Sequence, residues 1–299
     1  MTRRRCRTQA SGSGGCEGGS TMTARPLVSV CIPTYNGGVL LRAAVDSVLA
    51  QTWADFELIV IDDCSNDGSM DYLQDIRDAR LRCIRNERNL GPEGNWNRCL
   101  AEARGSLFKL LPHDDLLAPE CLAQQVSVLQ ADETQRIALV FSARQVIGPD
   151  GKVLTRRGLS GQLGGRKSAQ ALMRECLYRG TNVIGEPGAV LLRKSLADRI
   201  GAFDGRNAYL IDLDYWFRLL AHGDGYYCDS ALASFRVWPS SWSVLIGAEQ
   251  DVDFNNFMAR MRPSFRPPPS AAERWLGCVR AKLNKYLRLA FYAVYLRRR

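Results

Sequence analysis

The chain has 299 residues, of which 46% are hydrophobic and 24% are charged, and its formal net charge is +9. This length and composition suit one large or two modest globular domains, and no run approaches the roughly 18 to 20 apolar residues of a membrane-spanning helix. The positive charge suits nucleotides, anionic lipid surfaces or nucleic acid, without choosing among them.

The ten cysteines indicate a reducing compartment. They lack the spacing of metal ligands, and Cys31, Cys64, Cys83 and Cys99 sit in or beside apolar runs. Such cysteines are typical of buried thiols rather than of a disulfide framework. We therefore expect a cytoplasmic protein.

The first 25 residues are of low complexity, with the runs SGSGG and EGGS, and are predicted to be disordered. Met22 directly precedes the first structured run, so we expect the native chain to start there. Detection of a native peptide from residues 8–20 by mass spectrometry would contradict this expectation.

From residue 27, short apolar runs alternate with helical periods. The predicted strands cover residues 27–32, 58–61, 81–85, 107–111 and 137–147. The predicted helices include Leu41 to Val48, Asp67 to Arg77, Glu93 to Ala103 and a helix that begins near Pro119. This alternation indicates an α/β fold with a mostly parallel sheet flanked by helices, and ligands bind such sheets beyond the carboxyl ends of the strands.

The alternation ends after residue 150. We expect a loop over residues 158–165, a short strand over 189–192 and a helix over 211–221. The prolines of residues 263–269 then break the chain before a basic, aromatic C-terminal segment.

Three acidic clusters occur at strand ends or helix starts. Asp62–Asp63 and Asp114–Asp115 end two predicted strands, and Asp212 and Asp214 begin the late helix. Asp is also a common cap and turn residue, so the structural interpretation is the more common one for any single pair. Three clusters together favour a diphosphate held through a hard cation, which prefers one or two carboxylates plus phosphate oxygens.

Six short motifs make the pattern more specific. They are PTYNG at residues 33–37, VIDDCSNDG at 60–68, NLG at 89–91 with Asn97, HDD at 113–115, GAFD at 201–204 and DLDYWFRL at 212–219. In this order, between residues 27 and about 243, they resemble glycosyltransferase family 2. The resemblance implies a GT-A glycosyltransferase domain over residues 26–245, with a nucleotide-binding half (26–118), an acceptor half (119–245) and a C-terminal extension (246–299).

The resemblance also implies site residues for an inverting, metal-dependent sugar transfer. Around the nucleotide of the donor, a UDP- or dTDP-sugar, it places Pro33, Thr34, Tyr35, Asp63 on the base and Asp114 on the ribose. Asp115 would ligate Mg²⁺ or Mn²⁺ bridging the diphosphate, and Asp212 would be the general base for the acceptor hydroxyl. A divalent cation stabilises the charge on a diphosphate leaving group, and a positioned carboxylate activates an alcohol.

Three further residues have two interpretations each. Asp214 is the alternative base, and it either orients the helix start or contacts the acceptor. Arg218 lies on a helix with strong apolar spacing, and we expect it to pair with a nearby carboxylate rather than to serve the site. Glu186 could form part of the acceptor wall, although turn chemistry explains Glu186-Pro187-Gly188 equally well.

One departure from the family pattern lies at residues 236–238. Family members often carry an Arg, one residue and a His near the diphosphate, whereas this chain has Arg236-Val237-Trp238. Tryptophan cannot ligate a metal. Either Arg236 contacts the phosphate or leaving-group stabilisation is reduced, and Trp238 could instead stack on a sugar or be buried.

The pattern of the C-terminal segment, residues 274–299, predicts a basic amphipathic helix. Leu283, Leu287, Phe291 and Val294 fall on one helical face, among basic and tyrosine side chains. Such a helix can lie on an anionic membrane, and the alternative is that it packs on the catalytic domain.

The acceptor is expected to be a surface glycan or a lipid-linked sugar that receives one residue. Processive synthases of the family carry Gln-x-x-Arg-Trp, whereas position 271 here is Ala before Arg274-Trp275. A sugar nucleotidyltransferase would need a Gly-rich, basic loop after the first strand, which PTYN does not supply. A non-catalytic nucleotide- or glycan-binding protein remains a third class. We expect no nucleic acid, because the basic excess lies at the chain ends rather than in one stripe.

Overall fold

The computed structural model describes residues 25–159, 161–207, 209–239, 241, 244 and 249–296. The segment predicted to be disordered, apart from Arg25, and the suggested start at Met22 lie outside the described residues.

The first half of the chain builds parallel strands covered by helices. Its elements are β1 (Val28–Thr34), α1 (Gly38–Leu49), β2 (Phe56–Asp62), β3 (Leu81–Arg85), α2 (Gly91–Glu102), β4 (Leu107–Leu110), β5 (Leu116–Leu117) and α3 (Cys121–Ala131). Every residue of β1 is buried, because helices cover both faces of the sheet. Helix α1 buries Leu41, Ala44, Val45 and Val48, the four residues whose spacing predicts it.

The second half adds strands of both directions and a helical C-terminus. Its elements are β6 (Ile137–Ile147), β7 (Val153–Arg157), β8 (Gly165–Lys167), α4 (Ala169–Arg179), β9 (Val190–Arg193), α5 (Lys194–Ile200), α6 (Ile211–Leu220), β10 (Asp224–Arg236), α7 (Gln250–Arg260) and α8 (Ala271–Leu296). A 3-10 turn at Pro187–Ala189 precedes β9.

The main strand order is β3-β2-β1-β4-β9-β6-β10-β5. Strands β1 to β4 are parallel where they pair, β9 is antiparallel to both β4 and β6, and β10 is parallel to β6. Six of these eight strands therefore run in one direction, and only β9 and β5 oppose them. The predicted α/β sheet is confirmed, and the carboxyl ends of β1, β2, β4, β6 and β10 share one edge.

Helix α6 is anchored deeply in the core. Eight of its ten residues are buried, and Asp212 and Arg218 are half-buried. Tyr215 stacks on Phe203 with ring centroids 3.9 Å apart, and the Trp216 indole N–H donates to the Gly185 carbonyl at 3.0 Å. This packing fixes the position of the helix start that carries Asp212.

The C-terminal helix α8 packs on the rest of the domain, as the second interpretation of this segment predicts. Asn284 Nδ2 donates to the Arg179 carbonyl at 2.7 Å, and Lys285 pairs with Asp251 of α7 at 2.9 Å. Gly180, which ends α4 with φ +64°, abuts the backbone of Ala281 so closely that a Cβ would clash. No helix in the described part of the chain is long and apolar enough to cross a membrane.

The helix predicted over 67–77 is wrong. The structure has only a 3-10 turn at Asp71–Asp75. The Asp67 carboxylate accepts the backbone N–H groups of Gly38 and Ser69, both at 3.0 Å. These bonds fold the segment into a loop against the start of α1, which competes with a regular helix.

Candidate active site

The loops after β1 and β2 are tied together at the carboxyl edge of the sheet. Asn36, in the left-handed region at φ +49°, donates its N–H to Ser65 Oγ at 2.8 Å, and its Oδ1 accepts from Asn66 N at 2.9 Å. Thr34 is buried, and its hydroxyl has no hydrogen-bond partner among the described residues. Tyr35 is 48% exposed. A buried free hydroxyl and an exposed ring thus border the region where Pro33, Thr34 and Tyr35 are predicted to hold a nucleotide.

Asp63 is almost fully buried, and three donors surround its carboxylate. Oδ1 accepts from Asn86 Nδ2 at 2.7 Å and from Leu90 N at 2.8 Å, and Oδ2 accepts from Gly91 N at 2.9 Å. Asp63 therefore caps the start of α2 from a distant strand end. Its contact with the nucleobase stays a prediction.

The Asp114–Asp115 pair lies after β4 and is bound by the end of β10. Asp114 Oδ2 accepts from the indole Nε1 of Trp238 at 3.0 Å, and Asp115 Oδ1 accepts from Arg236 N at 2.9 Å. The Arg236 guanidinium donates to the carbonyls of Asp114 at 2.9 Å and Gly148 at 3.1 Å. Arg236, which matches the family pattern, and Trp238, which departs from it, thus hold the acidic pair in place.

The acidic pair fits a divalent cation. Asp115 is buried, and burial, followed by the charge of Asp114, raises the pKa of its carboxyl well above the ordinary value. Neither carboxylate pairs with a Lys or Arg among the described residues, and Asp115 Oδ2 receives no hydrogen bond from them. A cation would offset the repulsion between the two carboxyl groups.

The described residues hold no group of three His, Cys, Asp or Glu side chains that could bind a metal. The acidic pair therefore offers only part of a coordination shell. Magnesium is commonly bound in this way, through one or two carboxylates, with substrate phosphates and waters as the remaining ligands.

Asp212 lies in the first turn of α6. Its Oδ2 accepts from Asn182 Nδ2 at 3.0 Å, and its Oδ1 accepts from Leu213 N at 2.7 Å. Burial, followed by the charge of Glu186, raises the pKa of Asp212 to about 7. A carboxyl group that titrates near neutral pH is suited to accept a proton and later release it.

Glu186 links the two acidic regions. It pairs with Arg144, and although burial alone would raise the pKa of Glu186, Arg144 and Arg157 hold it below the ordinary value. The charge of Glu186 raises the pKa of both Asp115 and Asp212. Glu186 is therefore close enough to act on both carboxyl groups, although Asp115 and Asp212 are far apart in the chain.

The segment that carries Glu186 makes the physical connection. Asn182 Nδ2, which binds Asp212, also donates to the Gly185 carbonyl at 3.2 Å. Three residues further on, a Cβ placed on Gly188 would lie 3.9 Å from Asp115 Oδ2. The segment that carries Glu186 thus lies between the acidic pair and the start of α6, and the role of Glu186 as part of the acceptor wall stays a prediction.

Asp214 has a different environment from Asp212. Its Oδ2 pairs with Arg218 Nε at 2.9 Å, and its Oδ1 pairs with Arg260 Nη2 of α7 at 2.7 Å. The prediction that Arg218 pairs with a nearby carboxylate is confirmed. The contacts of Asp214 favour the interpretation that it orients the helix start, because both of its oxygens are engaged in ion pairs.

Sequence reasoning missed two residues of the site, Asn182 and Arg144. Asn182 belongs to no motif, and only the fold brings it to Asp212. Arg144 carried a signal, because it is a charged residue inside the apolar run of β6, and its side chain is only 3% exposed. A buried charge needs a partner, so such a residue points to a polar site.

The model of Glycosyl transferase family 2 matches residues 29–200, which is more than half of the chain. A functionally uncharacterized Mycobacterium tuberculosis protein is 34% identical over 210 residues, covering 67% of this chain and 64% of the relative. The Escherichia coli UDP-Glc:alpha-D-GlcNAc-diphosphoundecaprenol beta-1,3-glucosyltransferase WfaP is 33% identical over 116 residues, covering 39% and 45%. The chain spans less than two thirds of the length of either relative.

Two solved structures show the same fold. Residues 1–349 of Staphylococcus aureus TarS in complex with UDP-GlcNAc match with a TM-score of 0.63 at 17% identity, covering 90% of this chain and 73% of that one. The mannosyltransferase PcManGT of Pyrobaculum calidifontis in complex with GDP-Man and Mn²⁺ matches with a TM-score of 0.58 at 17% identity, covering 91% and 76%. The chain belongs to glycosyltransferase family 2 and has the GT-A fold of that family.

Proposed function

We propose that this protein transfers a single sugar from a nucleoside diphosphate sugar to a hydroxyl group of a surface-glycan or lipid-linked acceptor, with inversion at the anomeric carbon. One observation carries the proposal. The acidic pair Asp114–Asp115, which is suited to a cation, and Asp212, whose carboxyl group has a pKa of about 7, both lie beside the segment that carries Glu186. These two acidic regions come from distant parts of the chain.

The donor is a UDP- or dTDP-sugar. Its nucleotide lies against Pro33, Thr34 and Tyr35, with Asp63 near the base and Asp114 at the ribose. The unpartnered Thr34 hydroxyl and the exposed Tyr35 ring support this placement. WfaP is named for UDP-Glc, and the TarS structure contains UDP-GlcNAc, which supports the choice of a uridine nucleotide.

Asp115, with Asp114 beside it, would hold Mg²⁺ or Mn²⁺. The bound cation supplies stabilisation of the negative charge that develops on the diphosphate leaving group. The PcManGT structure contains Mn²⁺, which supports a metal in a protein of this fold. Arg236 fixes Asp115 through its backbone N–H, and Trp238 fixes Asp114 through its indole, so the pair is preorganised.

Asp212 is the general base. The acceptor oxygen forms a bond to the anomeric carbon, the bond from that carbon to the diphosphate oxygen breaks, and the hydroxyl proton goes to Asp212. Asn182 and Leu213 N orient the carboxylate for this transfer. Attack opposite the leaving group inverts the anomeric configuration.

The acceptor side supports transfer of one sugar rather than chain extension. Ala271 stands where processive synthases carry Gln, and Trp275 is 68% exposed at the start of α8. The name of WfaP specifies a diphosphoundecaprenol-linked acceptor. We therefore place the protein at the cytoplasmic face of a membrane, which α8 would contact through residues 274–299.

The experiment is a donor assay with the full chain and a panel of UDP- and dTDP-sugars, with and without Mn²⁺. We expect Mn²⁺-dependent release of nucleoside diphosphate, lost in Asp115→Asn. Asp212→Asn should retain nucleotide binding and lose on the order of 10²–10⁴-fold in transfer rate. Asp75→Asn is the matched control, since Asp75 is exposed.

The two alternative functions give different results in the same assay. Release of pyrophosphate would indicate a sugar nucleotidyltransferase. Tight nucleotide binding without turnover of any donor, equal in wild type and Asp212→Asn, would indicate a non-catalytic binding protein. Either result would overturn the proposal.

A further inference from the structure

Three arginines from different elements meet on the acceptor side of Asp212. Arg144 of β6 and Arg157 of β7 are direct partners in the antiparallel register of these strands. Side chains of direct partners stand on the same face of a sheet, and like charges in this position are destabilising. Arg288 of α8 acts on the same group: burial lowers the pKa of Arg157, the charge of Glu186 raises it, and the charges of Arg144 and Arg288 lower it.

The arginine cluster (Arg144, Arg157 and Arg288) has fewer carboxylate partners than positive charges. Glu186 pairs with Arg144, and within the described residues no carboxylate forms an ion pair with Arg157 or Arg288. Arg144 Nη1 and Arg288 Nε are buried atoms without a hydrogen-bond partner in the described part of the chain. Buried guanidinium donors that lack partners are costly, so the arrangement favours an anion.

The cluster lies beside Asp212. The Arg288 guanidinium is 5.7 Å from the centroid of the Tyr209 ring, and Tyr209 precedes α6 by two residues. The charges of Arg288, Asp212 and Arg157 all act on the Tyr209 hydroxyl. Asp115 is influenced instead by Asp114, Arg236 and Glu186. The cluster therefore lies near the residues that precede α6 and Asp212.

The backbone leaves room for this arrangement at Gly185. Its φ is +121°, and a Cβ there would lie 3.0 Å from Arg144 Nη1. A glycine allows the guanidinium to approach the chain between Asn182 and Glu186. The arginine that pairs with Glu186 is thus held against the same segment that orients Asp212.

We propose that the arginine cluster binds the phosphate of a phosphorylated acceptor, a glycosyl phosphate or diphosphate, whose sugar hydroxyl faces Asp212. This inference rests on the proposed function and names its acceptor class. Guanidinium groups bind phosphate oxygens through paired, charge-assisted hydrogen bonds. In such an acceptor the sugar ring separates the phosphate from the attacking hydroxyl. The phosphate could therefore bind the arginine cluster while the hydroxyl lies at Asp212, the proposed general base.

The test measures binding of a sugar-free probe, octyl diphosphate, to the full chain by calorimetry, with EDTA present to remove metal-dependent nucleotide-site binding. Octyl glucoside is the neutral control ligand. We expect Arg157→Gln and Arg288→Gln each to weaken octyl diphosphate binding on the order of 10- to 100-fold. Arg157→Lys should retain part of the affinity, because it keeps the charge without the paired donors.

Lys282→Gln is the matched control variant, because it removes one positive charge from an exposed position of the same helix. It should bind octyl diphosphate like the wild type. Binding of UDP with Mn²⁺ should be unchanged in all four variants. Thermal melting of each variant shows that it is folded.

Three results would overturn the inference. Equal binding of octyl diphosphate by wild type, Arg157→Gln and Arg288→Gln would show that the cluster does not bind this anion. Loss of UDP binding in these variants would assign it to the donor diphosphate. Loss of binding to phosphatidylglycerol vesicles, with octyl diphosphate binding intact, would assign it to lipid headgroups. Failure of the proposed function would appear separately, as absent nucleotide binding in the wild type.

Discussion

At the scale of single residues, the proposed role of Asp212 as general base, together with its pKa of about 7, predicts that activity depends on pH. A general base must be ionised, so kcat/KM should rise between about pH 6 and pH 8 and level off above. The measurement is the initial rate of sugar transfer across this range. Asp212→Asn should lose the rise together with most of the activity, and a rise that persists in this variant would assign it to another group.

The same shift predicts how Asp212 affects stability. Its folded-state pKa lies above the ordinary value, so between about pH 4 and pH 7 the folded protein binds the proton more tightly than the unfolded chain. Stability from this group is present at low pH and is lost as the pH rises through 7. Asp212→Asn should therefore melt above the wild type at pH 8, by about 2–4 °C per kcal/mol, and close to it at pH 4. A lower melting temperature at pH 8 would contradict this.

The sequence motifs lead to the acidic residues of the site but not to their partners. Asp115 and Asp212 stand out because each belongs to a short acidic motif. Arg144, Asn182 and Arg288 do not, because their roles arise from contacts with residues distant in sequence, such as Asn182 with Asp212. The capping role of Asp63 likewise depends on a loop that folds back from residues 86–91.

At the scale of elements, Asp63 connects the end of β2 to the start of helix α2. Asp63→Asn replaces one acceptor oxygen by an amide that faces N–H donors, so we expect a loss of about 1.5–3 kcal/mol in the free energy of unfolding. Chemical denaturation measures this loss, with Asp75→Asn as the exposed control. If Asp63→Asn is as stable as the wild type, the capping bonds contribute little.

Elements with one clear period were predictable, and irregular ones were not. The spans of β3 and β6 match their predictions. Strand β6 begins with a continuous apolar run and is almost wholly buried, whereas β3 has two arginines among its five residues and none of the five is buried. Strand β10 was missed, because its register shifts near Cys228 and Ala231 break the alternation of side chains. Helix α4 was also missed, although Ser168 caps its start and Gly180 ends it in the left-handed region.

At the scale of the whole molecule, the common direction of most strands brings the residues of the candidate site to one edge of the sheet. Residues that follow β1, β2, β4 and β10 meet at one edge of the sheet because these strands run in the same direction. Strand β9 runs in the opposite direction, so Glu186, which precedes it, lies at the same edge. Helix α8 then adds Arg288 from outside the region that the family model matches. The proposed acceptor side thus includes a residue from the part of the chain that the family motifs describe least.

The two interpretations of the C-terminal helix apply to its opposite sides. One side of α8 packs on α4 and α7, through Asn284 and Lys285. The other side exposes apolar residues at four-residue spacing, which are Trp275, Val279, Leu283 and Leu287. This spacing places the four side chains on one stripe of the helix. Packing and membrane contact are therefore compatible, and the stripe is the surface proposed for the membrane.

This arrangement decides how the membrane proposal is tested. Deleting residues 274–299 would also remove the packing of α8 and Arg288, so the exposed stripe must be changed alone. We expect the full chain to cosediment with phosphatidylglycerol vesicles and Leu283→Glu/Leu287→Glu to bind them much more weakly, because both burial of apolar area and attraction to anionic lipid are reduced. Val153→Glu, at a residue that is 56% exposed on β7, is the control. Equal binding by wild type and double variant would show that the stripe does not face the membrane.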